Sequence, residues 1–230
     1  MIYPEVMAAD LTGDALPAAE RAYRHAKALI IGGTWGEGSL VSEGDLATRV
    51  GLSRTPVREA FLRLQGEGLL DLIPKRGAVV VPLPASEAED VLDLREALEC
   101  AAVRRITRYD DAELAGVAGG LRQCLRAQEE PARRVDLVAF VEADEAFHRA
   151  IVSASGNALA ERFYQSLGDR QRRMAARALR PRPERLAVLV QEHTALVEAV
   201  GARDEVAFRR LLRAHLDATH REFHHLGGEA

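Results

Sequence analysis

Asp144, His148, His193 and His215 are the residues of this 230-residue chain whose types and spacing best support metal chemistry. Each falls on an apolar stripe of helical period. One stripe is Leu137, Val141, Asp144, His148 and Ile151. A second is Leu186, Leu189 or Val190, His193, Val197 and Val200, and a third is Phe208, Leu211 or Leu212, His215 and Thr219. Asp144 and His148 are four apart, so both leave one helix on the same side. A buried carboxylate without a partner costs on the order of several kcal/mol, so something in the core must compensate Asp144. A lone inward histidine reads as a satisfied core residue, with Asp144 bonded to His148 or another imidazole. One carboxylate and three imidazoles converging from three helices read instead as a transition-metal site. Zinc is the first candidate, and nickel or manganese suits the same donors. His25, His220, His224 and His225 have weaker claims, the last three as surface residues near the C-terminus.

An ion held by four protein groups keeps open positions when it is five- or six-coordinate. The carboxylate of a small organic acid fits such a position, and a guanidinium is its natural second anchor. Arg95 borders a stripe of Val91, Leu94 and Leu98, while Arg170 and Arg173 lie on or beside that of Phe163, Leu167 and Met174. Their alternative is to reach solvent or pair with nearby acids. The same metal set could activate water in a hydrolase, with Glu145 or Glu192 drafted as general base. A purely structural ion is a further alternative.

A second chemical cluster lies earlier in the chain. Gly51 to Phe61 reads as the turn and second helix of a helix-turn-helix. Ser53 or Thr55 can cap that helix, and Pro56 sits in its first turn. Val57, Ala60, Phe61 and Leu64 face a core; Arg54, Thr55 and Arg58 point away, at the helix start, where a recognition helix meets the major groove. Ser42 to Val50 reads as the preceding helix, with Leu46 and Val50 inward, and Pro17 to Ile31 as an earlier one. Leu69–Ile73 and Ala78–Val81 are strand-like runs joined by Pro74-Lys75-Arg76-Gly77, a basic-tipped hairpin. Together these form a winged helix.

These elements need a scaffold, and the rest of the chain supplies a mainly α one. The expected organisation is a winged helix-turn-helix DNA-binding domain over 1–81 (with 1–14 a loose arm), a linker at 82–86, and an antiparallel α-helical bundle over 87–227. Helical patterns run Glu87–Arg108, Asp111–Glu129, Arg133–Ala154, Asn157–Leu179, Pro183–Val200 and Glu205–His225. Pro131, Ser155-Gly156-Asn157, Pro181 and Gly201 separate them, with a kink at Gly119-Gly120. Short loops between six helices suit a bundle, a recurrent host of metal sites. The net charge is −4, so DNA binding must rest on a local basic surface, here Arg49, Arg54, Arg58, Arg63, Lys75 and Arg76. Cys100 and Cys124 read as free thiols in a reducing compartment. Lacking a signal peptide or a spanning apolar run, the chain is expected to be cytoplasmic, with no membrane partner.

Ser53-Arg54-Thr55-Pro56-Val57-Arg58-Glu59-Ala60, followed by Leu64, Glu67-Gly68-Leu69 and Arg76-Gly77, closely resembles the DNA-binding domain of GntR-type bacterial transcription regulators. The resemblance implies that Ser53, Arg54, Thr55 and Arg58 contact operator DNA and that Arg76-Gly77 enters the minor groove. Gly44 departs from the pattern, which often has an arginine there. Asp144-x-x-Phe147-His148-x-x-Ile151, Ser155-Gly156-Asn157, Glu192-His193 and His215 resemble the FCD-type ligand-binding domain of the FadR subgroup, in its six-helix, VanR-like branch. That resemblance implies that Asp144, His148, His193 and His215 hold a metal. The expectation is a non-enzymatic, ligand-responsive regulator, in the commoner arrangement a repressor. It would bind a pseudo-palindromic operator as a homodimer and sense a small organic acid.

Overall fold

The structure, a computed structural model, describes residues 16–225, the side chains of 85 and 220–225 excepted. The expected arm at 1–14 and the side chains of His220, His224 and His225 lie outside the described residues. Contacts divide the chain into two compact units between Pro82 and Leu83.

The first unit is a winged helix. Helices α1 (Ala18–Ile31), α2 (Glu43–Val50) and α3 (Arg54–Gly66) pack around Ala26, Leu46, Val57, Phe61 and Leu64. Ser42 caps α2 by accepting from Asp45 N at 3.0 Å. Gly51 ends α2 at φ 64°, a left-handed conformation that favours glycine, and the turn to α3 follows. Ser53 occupies the N-cap of α3 but makes no side-chain capping bond, so its hydroxyl and that of Thr55 are exposed rather than spent on the cap.

Strands β1 (Leu40–Val41), β2 (Leu70–Ile73) and β3 (Gly77–Val80) form an antiparallel sheet in the order β1-β3-β2. The two wing strands match the expected hairpin. The two-residue β1 carries too short a pattern to be visible in the sequence. Gly77 is required where it stands: its φ is 115°, and a Cβ there would lie 2.2 Å from Val41 O.

The second unit is an antiparallel bundle of α4 (Ala85–Ile106), α5 (Asp111–Arg134), α6 (Leu137–Ala154), α7 (Ala158–Leu179), α8 (Arg185–Gly201) and α9 (Glu205–His225). Asp110 and Glu113 form a capping box at α5, and Asp136 and Asn157 cap α6 and α7. Phe147, Ile151, Tyr164, Leu196, Phe208 and Leu212 are among its fully buried residues.

Several expected boundaries shift. The linker is shorter than 82–86, because α4 begins at Ala85 and Leu83 already packs in the bundle core. Gly119-Gly120 does not interrupt α5. Nor does Pro131 end it: α5 carries proline in its last turn, at the loss of one N–H bond to the i−4 carbonyl, and closes at Val135 in the left-handed region. Helix α6 therefore starts at Leu137 rather than Arg133.

Candidate metal centre and nucleic-acid interface

Asp144 and His148 from α6, His193 from α8 and His215 from α9 meet in the bundle core. One ligand atom from each lies within 4.8 Å of all the others. All four are buried, His148 and His193 completely. The three imidazole centroids are 4.8, 4.9 and 5.1 Å apart, close to an equilateral triangle. Phe147 stacks on the His193 ring at 4.7 Å.

Each of these three histidines has its Nδ1 engaged by an outward partner. His148 Nδ1–H donates to Glu99 Oε2 at 2.8 Å, His193 Nδ1–H to Gln128 Oε1 at 2.7 Å, and His215 Nδ1–H to Glu192 Oε2 at 2.8 Å. The Gln128 amide is oriented by its other end, which donates to Ala143 O at 3.4 Å. With Nδ1 holding the proton, each Nε2 presents a lone pair. The buried Nε2 atoms of His148 and His193 have no hydrogen-bond partner among the described residues. Outward acceptors that fix tautomer and ring orientation are what metal-binding histidines use.

Electrostatics point the same way. Burial pushes His148 and His193 well below the ordinary imidazole range, and for His148 the Arg95 charge adds to this; both rings are neutral, the ligand form. Burial also raises the Asp144 and Glu99 carboxyls, against the pull of Arg95. Arg95 itself, despite burial, is held cationic by Tyr164, Glu99 and Asp144. Two buried carboxyls thus share one buried guanidinium, and a cation among the Nε2 atoms would favour their ionised forms. Asp144 Oδ1 is 3.4 Å from His193 Nε2. A tetrahedral ion with bonds of about 2.0–2.1 Å has ligand edges of roughly 3.3 Å. The donor set fits a divalent transition metal.

The three expected anchors separate. Arg95 is buried, donating from Nε to Glu99 Oε1 and Tyr164 OH, both at 3.2 Å, while its Nη2 is buried without a partner among the described residues. It lines a small cavity of about 10 Å3 beside Asp144 and His215, room for about one water molecule. Arg170 instead pairs with Glu87 at the surface. Arg173 is buried but does not line this cavity. The expected stripes shift by one residue: Leu94 and Phe163 are exposed, and the inward positions are Arg95, Glu99, Tyr164 and Gln171. The drafted general bases are engaged elsewhere, Glu145 with Arg149 and Arg172, Glu192 with His215 and Arg185.

Glu99, Gln128, Tyr164 and Gln171 were missed in the sequence. Their signal was the one that marked the histidines, a polar residue at an inward position of an apolar stripe. Gln128 follows Leu121 and Leu125, and Tyr164 and Gln171 stand among Ala160, Leu167 and Met174.

In the first unit, Arg54 and Arg58 of α3 face the wing tip, Lys75 and Arg76, across an open groove that also includes Ser42 and Gly44. These four cations make no ion pair among the described residues. Arg63 differs from expectation: it pairs with Glu20 and Glu67 and lies over the Tyr23 ring at 3.5 Å, joining α3 to α1.

A winged helix joined to a helical bundle with an inward His/Asp cluster is the architecture of a bacterial transcription regulator. Residues 18–80 match the gntR family of bacterial regulatory proteins, and residues 90–218 match the FCD domain. The chain belongs to the GntR family of transcription regulators. The HTH-type transcriptional repressor RspR of Escherichia coli K12 is 30% identical over 207 residues, covering 87% of this chain and 86% of that protein. An uncharacterized HTH-type regulator of Agrobacterium vitis is 34% identical over 149 residues, covering 64% and 87%. E. coli McbR/YncC superposes with a TM-score of 0.72 at 20% identity, covering 93% of this chain and all of that one, a likeness of fold. Members of this family bind operator DNA and are regulators rather than enzymes. No described helix is long and apolar enough to cross a membrane.

Proposed function

We propose that this regulator holds one divalent transition metal per chain through Asp144 and the Nε2 atoms of His148, His193 and His215. Zinc comes first, with nickel and manganese as alternatives. A small carboxylate binding beside the metal then alters operator affinity. The observation that carries this reading is the outward engagement of all three Nδ1 atoms, which turns three Nε2 lone pairs toward one point. The metal would supply a fixed positive charge and open coordination positions. Arg95 offers the acid a second cation, with its unpartnered Nη2 in the adjoining cavity. That unpartnered guanidinium nitrogen favours sensing over a purely structural ion.

In the first unit, Arg54 and Arg58 read the major groove, with Ser53 and Thr55 on the backbone beside them. Lys75, Arg76 and Gly77 enter the minor groove as the wing. Two such units in a homodimer match a pseudo-palindromic operator, and effector binding shifts the population of DNA-competent dimers. Repression relieved by the acid, in the cytoplasm, is the arrangement proposed. The test is operator affinity by fluorescence anisotropy for zinc-loaded and chelator-stripped protein, across a panel of two- to six-carbon acids. An acid that changes operator affinity only in the metal-loaded protein supports the reading. If acids act equally without metal, the ion is structural.

A further inference from the structure

Among the described residues, the bundle contains a buried side-chain amide, that of Gln171, that the metal centre does not use. The Gln171 side chain is 3% exposed, it lines the cavity beside Asp144, His215 and Arg95, and neither its Nε2 nor its Oε1 has a partner among the described residues. A buried amide left unsatisfied at both ends is costly, so such groups are rare and call for a partner. Tyr164 lies on the same face of α7, and its hydroxyl donates to Glu99 and accepts from Arg95. Gln171 therefore stands apart on that face as a donor and acceptor with nothing to bind.

We propose that Gln171 selects the effector, and that the effector is a carboxylate bearing a second group that both donates and accepts, such as vicinal hydroxyls or a primary carboxamide. This rests on the effector reading above and narrows it. The argument is one of satisfiability. A plain alkyl acid leaves both amide atoms unpaired. A second carboxylate accepts from Nε2 but leaves Oε1 bare, and it faces Oε1 with like partial charge. Vicinal hydroxyls satisfy both, one accepting from Nε2 and the next donating to Oε1; a carboxamide does so through a paired amide ring. Sites built to hydrogen-bond a polar group reject analogues that lack it far more sharply than apolar pockets reject a missing methylene. The remaining walls are mostly apolar, with Val91, Leu92, Leu179 and Leu189 for the carbon chain, and with Thr219, whose hydroxyl donates to His215 O at 3.3 Å. Met174, unbranched and flexible, lets the space adapt.

The experiment is calorimetry on the zinc-loaded full chain with acids matched in length. The three-carbon set is glycerate, malonamate, propionate and malonate; the six-carbon set is gluconate, adipamate, hexanoate and adipate. In at least one set, the hydroxylated or amide acid binds ten-fold or more tighter than its alkyl and dicarboxylate counterparts. Gln171→Met, similar in size but unable to pair, erases that preference, and Gln171→Glu reduces it. A second readout is independent of ligand. Because the amide is unpartnered in the free protein, Gln171→Met holds or raises the melting temperature without acid. Equal affinities within both sets, with no effect of Gln171→Met, overturn the inference and leave the metal-bound effector standing. No binding by any acid overturns the effector reading and this inference together. A melting temperature several degrees lower for Gln171→Met shows that the amide has a structural partner, and also overturns it.

Discussion

Replacing Gln128 with Leu separates a metal site from a cluster of core histidines, although Gln128 touches no metal. Its Oε1 accepts from His193 Nδ1 at 2.7 Å, and its side chain is fully buried. Leucine fills similar space but leaves the Nδ1–H buried and unpaired, at about 1–3 kcal/mol. The proton then has no reason to stay on Nδ1. In the other tautomer it sits on Nε2 and removes the lone pair that a metal needs. Loss of such an outer partner typically weakens metal affinity about 10–100-fold, or roughly 1.4–2.7 kcal/mol, in line with the hydrogen-bond figure. Competition against a fluorescent zinc chelator reads this directly. Gln128→Glu keeps an acceptor for Nδ1 and should retain affinity far better than Gln128→Leu. If Gln128→Leu binds zinc as tightly as the unaltered protein, while both fold, His193 Nε2 is not a ligand and the arrangement has been misread.

Other consequences follow from the same geometry. Arg54→Ala or Arg58→Ala should cost about 1–3 kcal/mol of operator affinity where the arginine reads a base. Where it meets only phosphate, binding to all sequences should weaken alike and the salt slope fall by about 1; unchanged titrations at matched salt in both variants would contradict the placement of α3. Gly77→Ala puts a Cβ 2.2 Å from Val41 O at a φ of 115°. The strain should be roughly 1–3 kcal/mol, seen as a lower melting temperature and weaker operator binding. Chelation should lower the melting temperature in proportion to the metal's affinity, while basal operator binding persists. An acid that shifts operator affinity by a given factor must have its own affinity shifted by that factor when operator is added, commonly about 1–3 kcal/mol; calorimetry with and without operator DNA checks both directions.

Much of this was legible in the sequence because helical period reports which side chains face inward. Asp144, His148, His193 and His215 were each identifiable from apolar neighbours three and four residues away. The octapeptide from Ser53 to Ala60 placed the recognition helix, and the basic tip at Lys75-Arg76 placed the wing. The outer partners were harder to read. Glu99 lies 49 residues from His148, Gln128 lies 65 from His193, and Glu192 lies 23 from His215. Such pairings depend on the axial register of neighbouring helices, which no local pattern encodes. Pro131 misled for a related reason: its cost falls on one turn, and packing of the bundle outweighs it. Arg95 could be placed near the core but not turned, since Leu94 and Arg95 differ by only one position on the helix. The structure puts the arginine inward with Glu99 and leaves the leucine exposed.

Diffraction from crystals of the purified protein, collected above and below the absorption edges of zinc, nickel and manganese, tests the central claim most directly. The expected result is one anomalous peak per chain, bonded to an Asp144 carboxylate oxygen and to Nε2 of His148, His193 and His215, with an open position facing Arg95. Crystals of zinc-reloaded protein with no peak among these four residues, or with the histidines bound through Nδ1, would contradict it.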